Sequence, residues 1–315
     1  MIDQYGRNIN YLRLSVTERC TLRCVYCRAD EGICPKAAEL SCADFLRIAR
    51  ACVDLGIRRI RVTGGEPLLR KDILEIVGGL GQIEELVDLT MTTNAQYLAE
   101  HAEGLKKAGL KRINISLDSL REDRYRQITG GELKNVLEGI NAAVNADLLP
   151  IKINVVLVRG VNDDEVDDFI ALTRDNPLDV RMIELMPVGV LGQDESLRIN
   201  NDELIAARPY LQPVAPSYSG QPSRDYKITG HQGRVGFISP ISHSFCADCN
   251  RIRVMSDGML RPCLGNNAEI SLKPALQEGD DALLEVIRST IFNKPMRHHF
   301  EKGFSSEKSM LKIGG

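Results

Sequence analysis

Cysteine is the residue that could do the most chemistry in this chain, and its spacing is uneven. There are nine cysteines, and six fall in two tight groups. Cys20, Cys24 and Cys27 form a C-x3-C-x2-C loop. Cys246 and Cys249 form a C-x2-C pair, and Cys263 follows after thirteen residues. Three thiolates on one short loop can ligate three irons of a [4Fe–4S] cube. The fourth iron then keeps an open position for a substrate or cofactor. Zinc is the rival reading, but closed zinc sites use four ligands and usually C-x2-C spacing. Cys34 is the extra thiol nearest the first group, and His243 is a distant candidate to complete the second. Cys42 and Cys52 fit an apolar helical face, where a free cysteine acts as a small hydrophobe.

Two further stretches carry chemistry. Asn250-Arg251-Ile252-Arg253 follows the second group directly. On a strand, Arg251 and Arg253 share a face, and two guanidinium forks suit phosphate. The plain alternative is a solvated charged strand; the tight link to the thiols favours an anion site. Asp257-Gly258 between β-rich flanks signals a hairpin that returns Cys263 to its partners. Thr63-Gly64-Gly65-Glu66-Pro67 forms a small-residue turn after an apolar run.

These residues need elements to position them. Apolar, β-branched runs occur at residues 11–16, 59–62, 86–92, 112–117, 151–158 and 180–185. Helical patterns lie between them. The clearest begins at Ser41, with Asp44 three residues on as a capping box. Phe45, Ile48, Ala49, Cys52 and Leu55 then share one face, and Gly56 suits the stop. Residues 133–146 and 163–174 also read as helices. Six βα units imply a parallel sheet covered by helices. The first cysteine group and residues 63–67, 92–94, 116–119, 159–163 and 184–187 all fall at the carboxyl ends of strands, where barrel enzymes place their sites. An open doubly wound sheet would place them there too. After Pro187 the pattern breaks into a proline-rich crossing segment and a smaller C-terminal module. The expected division is 1–186 and 187–315.

The net charge of −3 over 315 residues gives no sign of nucleic acid or an anionic membrane as partner. No apolar run approaches the ~20 residues that span a bilayer, and no signal-peptide core opens the chain. The expected location is the cytoplasm, where unpaired thiols serve metals or catalysis rather than disulfides.

C-x3-C-x2-C with Tyr26 before its last cysteine resembles the radical S-adenosylmethionine superfamily signature. Gly64-Gly65-Glu66-Pro67 resembles that superfamily's element for the methionine amino group. The two triads together, with Cys246-Ala-Asp-Cys249-Asn-Arg-Ile-Arg, the opening Leu12-Arg13-Leu14-Ser15-Val16-Thr17 and the terminal Gly314-Gly315, resemble the GTP 3′,8-cyclase family over nearly the whole chain. The resemblance implies an incomplete (βα)6 TIM-type barrel whose C-terminal module, with the second cluster, closes the mouth. It implies two [4Fe–4S] clusters, S-adenosyl-L-methionine, GTP as substrate, an electron donor, and hand-over of product to the next enzyme of molybdopterin synthesis. It leaves a homodimer open. The implied chemistry is reductive cleavage of the sulfonium to a 5′-deoxyadenosyl radical, removal of the ribose C3′ hydrogen, and attack of C3′ on guanine C8.

Residue roles follow by motif. The resemblance implies cluster ligation by Cys20, Cys24 and Cys27 and by Cys246, Cys249 and Cys263. It implies S-adenosylmethionine contacts from Tyr26, Gly65, Ser116 and Met186. For GTP it implies Arg13, Arg61, Thr92, Lys152, Arg181, Arg251, Ile252 and Arg253. Arg13, Arg251, Arg253, Gly314 and Gly315 are the expected catalytic set. Ala95 departs from the family, which commonly has Gly after Thr-Thr-Asn, and Cys34 has no family role. Another two-cluster radical enzyme, of a peptide- or sulfatase-maturing type, is the alternative, though such enzymes usually carry more C-terminal cysteines. A non-catalytic iron–sulfur or zinc-binding protein is a third reading.

Overall fold

The computed structural model describes residues 1–27, 39–189, 191–300, 304 and 306–314. Cys34 and Gly315 lie outside the described residues. Six parallel strands form in chain order: β1 (Tyr11–Ser15), β2 (Arg59–Thr63), β3 (Asp88–Thr93), β4 (Arg112–Ser116), β5 (Ile151–Leu157) and β6 (Leu178–Glu184). Helices return the chain between them: α1 (Cys42–Asp54), α2 (Ile73–Gly81), α3 (Leu98–Lys107), α4 (Glu122–Thr129), α5 (Leu133–Asn145) and the short α6 (Val166–Ala171). The expected helix at 163–174 thus shortens, because its first turn is a tight 3₁₀ turn at Asp163–Glu165.

The start of α1 shows why the local sequence suffices there. The Ser41 hydroxyl accepts from the Asp44 amide at 3.1 Å, and the Asp44 carboxylate accepts from the Ser41 amide at 3.3 Å. Gly56 takes the left-handed conformation, φ 94°, just past the end. Cys42 and Cys52 are buried in the core this helix shares with the sheet.

The C-terminal part does more than cover a mouth. It adds strands to both edges of the parallel sheet. The strands β7 (Gln212–Val214), β8 (Ser223–Lys227) and β9 (Val235–Ile238) build out from β6, with β9 parallel to it. The strands β10 (Arg251–Val254), β11 (Met259–Arg261) and β12 (Ile270–Ser271) build out from β1, with β10 parallel to it. The sheet order is β12-β11-β10-β1-β2-β3-β4-β5-β6-β9-β8-β7. It is an open, partial barrel, and its two edges both belong to the C-terminal part. The Asp257-Gly258 hairpin forms as expected, pairing β10 with β11.

Candidate active site

Side chains alternate along the six strands. Leu12, Leu14, Ile60, Val62, Ile113, Ile115, Ile153 and Val155 join the apolar core. The alternate set, including Arg13, Arg61, Thr92, Ser116, Asn154 and Arg181, lines a cavity of about 340 Å³. Barrel interiors are usually filled by branched apolar residues. Here the strand wall carries arginines and polar side chains, with apolar residues such as Leu185, Met186 and Val188 lining the rest. Six Arg or Lys side chains line the cavity against two carboxylates, Asp118 and Glu184.

The cations are stacked in register. Arg253 on β10 lies opposite Arg13 on β1, which lies opposite Arg61 on β2. Like charges on neighbouring strands repel. Burial, then Arg253 and Arg61, holds Arg13 well below its ordinary range. Burial, then Arg251 and Arg261, brings Arg253 down to about 10. Burial and Arg61 lower Arg181, against the pull of Asp225. The Asn114 amide oxygen, turned toward Arg61, accepts from its guanidinium at 2.9 Å. Tyr11 Oη, Thr63 Oγ1, Thr92 Oγ1 and Asn154 Oδ1 are buried on this wall with no hydrogen-bond partner among the described residues. A wall of this kind fits a polar, polyanionic ligand.

Both triads border the cavity. The first is fixed by backbone contacts. The Gly65 amide donates to Thr17 O and the Glu66 amide to Arg19 O, each at 2.7 Å. A Cβ on Gly65 would stand 2.4 Å from Arg19 O. The glycines of this turn therefore let β2 dock against the chain leading to the cysteines. Across the loop, Arg23 and Val25 amides donate to Thr129 and Ile128 carbonyls at the end of α4. The Tyr26 hydroxyl donates to Asp118 at 2.6 Å. The Glu66 carboxylate, pushed up to about 7 by burial, accepts from the Asn94 amide at 2.7 Å and Thr93 Oγ1 at 2.8 Å. Asn94 in turn donates to Thr21 Oγ1 at 3.0 Å. Burial, then Asp118 and the other two thiols, pushes the Cys24 thiol well up.

The second triad sits among cations. Arg7, paired with Asp3 at 2.6 Å, donates to the Cys246 carbonyl at 3.1 Å. Arg261, fully buried, donates to the Cys263 carbonyl at 3.2 Å and pairs with Glu269 at 2.9 Å. Burial raises the Cys249 thiol, but Lys294 and then Arg251 pull it below its ordinary value. Burial likewise raises Cys246, which hydrogen bonds from His298 and Ser244 bring down to about 7. Among the described residues no three His, Cys, Asp or Glu groups converge on a single-ion position. His243 pairs with Asp202 instead. Three thiols per site leave one iron of a cube cluster open, whereas a closed zinc site needs a fourth ligand.

Most residues expected from the sequence meet here: Tyr26, Gly65, Ser116, Met186, Thr92 and the five arginines all line the cavity. Lys152 lies deeper on β5, beside Asp179 at 3.1 Å; burial and Arg181 bring it down to about 8. The Ile252 side chain is in the core, on the face opposite Arg251 and Arg253. Gly314 reaches the barrel. Its carbonyl accepts from Arg253 at 3.0 Å, and a Cβ on it would lie 2.6 Å from Ser15 Cβ. Asp118, Tyr218, Lys294 and His298 also line the cavity and were not singled out from the sequence. Asp118 is two residues beyond Ser116 on β4, so strand alternation could have found it. Nothing in the spacing ties Lys294 or His298 to the thiols. Ala95 keeps the turn despite its side chain, with φ 61°.

A radical SAM superfamily model matches residues 14–173, and a Molybdenum Cofactor Synthesis C model matches residues 178–300. The GTP 3′,8-cyclase of Alkaliphilus oremlandii is 46% identical over all of both chains. That of Peptoclostridium acidaminophilum is 47% identical, over 100% of this chain and 98% of its own. Among solved structures, Streptococcus suis SuiB shares the fold at TM-score 0.62 and 16% identity, covering 92% of this chain and 67% of its own. No helix among the described residues is long and apolar enough to cross a membrane. Matched along its full length by such relatives, the chain belongs to the GTP 3′,8-cyclase family of radical S-adenosylmethionine enzymes.

Proposed function

We propose that the chain converts GTP to (8S)-3′,8-cyclo-7,8-dihydroguanosine 5′-triphosphate in molybdopterin biosynthesis. The observation that carries this reading is the strip of three in-register guanidiniums, Arg253, Arg13 and Arg61, in a cavity bordered by two three-thiol sites. Two [4Fe–4S] clusters and S-adenosylmethionine supply the radical chemistry when bound. Cys20, Cys24 and Cys27 hold one cluster, and Cys246, Cys249 and Cys263 the other. Tyr26, Gly65, Ser116 and Met186 hold S-adenosylmethionine near the first. Arg13, Arg61, Thr92, Lys152, Arg181, Arg251 and Arg253 hold GTP, with Ile252 contributing main chain alone.

The chain's own work is to place and shield. Arginines on three adjacent strands and on β6 fix the phosphates, which leaves the ribose between the two triads. Positioning of this kind removes much of the entropic barrier. At the substrate, C3′ loses a hydrogen atom, a C3′–C8 bond forms, and one electron with one proton completes the reduced ring. An external donor provides that electron, and the product passes to the next enzyme of molybdopterin synthesis. Gly314, lacking a side chain, fits between Ser15, Thr63 and Arg253 and lets the tail close over the reacting centre, with Gly315 beyond it. We place the division of the chain after Met186, since β6 completes the six-unit parallel run.

The test uses GTP deuterated at C3′ with the anaerobically reconstituted enzyme, S-adenosylmethionine and a reductant. The label is expected in 5′-deoxyadenosine, together with cyclised product. Formation of 5′-deoxyadenosine at the same rate without GTP, and unlabelled with it, would rule out this substrate.

A further inference from the structure

Lys294 lies two residues beyond the helix Asp280–Phe292 and is 1% exposed. Its ammonium donates to the Pro262 carbonyl at 2.5 Å. Among the described residues it forms no ion pair with a carboxylate. The nearby Arg7, which donates to the Lys294 carbonyl at 3.3 Å, is already paired with Asp3 at 2.6 Å. An ammonium shut away from water with one carbonyl as its described partner is an unfavourable arrangement. Something anionic must offset it.

Pro262 adjoins Cys263, and Lys294 lines the cavity wall together with Cys246, Cys249 and Cys263. On both Cys249 and Cys263, the charge of Lys294 acts more strongly than any other neighbouring charge. Among the described residues, no Lys or Arg charge is among those acting on Cys24 of the first triad. The strongest charge acting on Cys24 there is the Asp118 carboxylate.

We infer that Lys294 is the buried counter-ion of the cluster held by the second triad, and that its charge raises that cluster's midpoint potential. The inference rests on the second triad being a cluster site. Reduction adds negative charge to the cluster, and a fixed ammonium at close range favours the reduced form. The carbonyl of Pro262 holds the charge in place next to a ligand.

The competing role is a strut, in which Lys294 only ties the helix end to Pro262. Two variants separate charge from strut. Lys294→Gln removes the charge and keeps a donor; Lys294→Arg keeps the charge. Both are made in the full chain with Cys20, Cys24 and Cys27 changed to Ala, so that only the second cluster remains. Potentiometric titration followed by electron paramagnetic resonance reads the midpoint, and iron analysis reads occupancy. A more negative midpoint in the Gln variant, with the Arg variant at the parental value, is the expected result. Loss of the cluster in the Gln variant but not in the Arg variant supports the same conclusion. Equal behaviour of the two variants, whether parental or both stripped of cluster, overturns it. A parental protein that binds no iron would overturn the cluster reading, and with it the inference that rests on it.

Discussion

The two cysteine triads border one cavity, yet the chain holds and surrounds them by different means. The first loop is pinned by main-chain hydrogen bonds, from the glycine turn after β2 and from the end of α4. The second is pinned by long buried cations, Arg7 and Arg261, that reach carbonyls of Cys246 and Cys263. Among the described residues, the strongest charges acting on Cys24 and on Cys249 are opposite in sign. Asp118 stands by the first triad, and Lys294 and Arg251 by the second. A sulfonium cofactor is cationic and a nucleoside triphosphate anionic, so this difference in charge agrees with the ligands proposed for the two sites.

The largest effect expected from this asymmetry comes from removing one ligand at each site. Cys24→Ser and Cys249→Ser should each lose one cluster, about four irons per chain for a cube, and each should abolish cyclisation. The two should differ in one respect. Cys24→Ser should form no 5′-deoxyadenosine, whereas Cys249→Ser should still form it, uncoupled from product. Iron analysis and chromatography of 5′-deoxyadenosine decide the matter. If both variants cleave S-adenosylmethionine alike, the division of labour between the triads is wrong.

The next effect is at the junction of the two sites. Gly314 has φ 78° and lies between Ser15 and Thr63 at the ends of β1 and β2. Gly314→Ala adds a methyl where no space exists and strains the backbone. Both clusters should load normally and S-adenosylmethionine cleavage should remain. Cyclisation should fall roughly tenfold or more, since each 1.4 kcal/mol of misplacement in the transition state is tenfold in rate. Full-rate cyclisation by this variant would return the tail to an ordinary chain end.

Sequence and structure agree best where local rules decide. The capping box at Ser41, the Gly56 stop and the Asp257-Gly258 hairpin need only their neighbours, and all three form. The cysteine triads were legible because ligand spacing is local. The placement of β9 and β10 was not, since which strand joins which edge depends on contacts more than fifty residues apart. The same holds for the cation strip. Arg13 and Arg253 are 240 positions apart and meet through the register of β1 and β10. Family resemblance supplied them; spacing alone would not. Lys294 and His298 lay beyond both, because a lone Lys or His carries no periodic signal.

A smaller effect tests the cationic side by pH. Lys152 is held down to about 8 by burial and Arg181, while an unfolded Lys titrates at about 10.4. Between these values the unfolded chain binds the extra proton, so the Lys152 contribution makes stability rise with pH across that window. Bound triphosphate reverses the local balance by favouring the charged amine. GTP binding near pH 8–9 should therefore take up a proton, and affinity should weaken as pH rises through about 8. Calorimetry in buffers of different ionisation enthalpy measures the uptake, and Lys152→Met should remove it. Proton uptake unchanged in that variant would place the titrating group elsewhere.

The smallest effect lies on the first site's side. Ala95 is buried at φ 61°, a conformation that disfavours an L-residue by about 1–2 kcal/mol. The turn holds because its neighbours build it. Thr93 Oγ1 accepts from the Ala95 amide at 3.0 Å, and Asn94 Oδ1 accepts from the Gln96 amide at 3.1 Å. Ala95→Gly relieves the conformation but gives up a buried methyl, about 0.8 kcal/mol, and adds about 0.5–1 kcal/mol of backbone entropy to lose on folding. The terms nearly cancel, so this variant should melt within a few degrees of the parent and cyclise at its rate. Ala95→Val differs, because a β-branched residue is a poor fit to positive φ. It should distort the turn from which Asn94 reaches Thr21 and the Cys20 sulfur, at 3.0 and 3.6 Å. Iron should then be lost faster from the first cluster under a chelator, while the second, held by Arg7 and Arg261, keeps its parental rate. Equal loss from both clusters in Ala95→Val would mean that the two sites are not anchored independently.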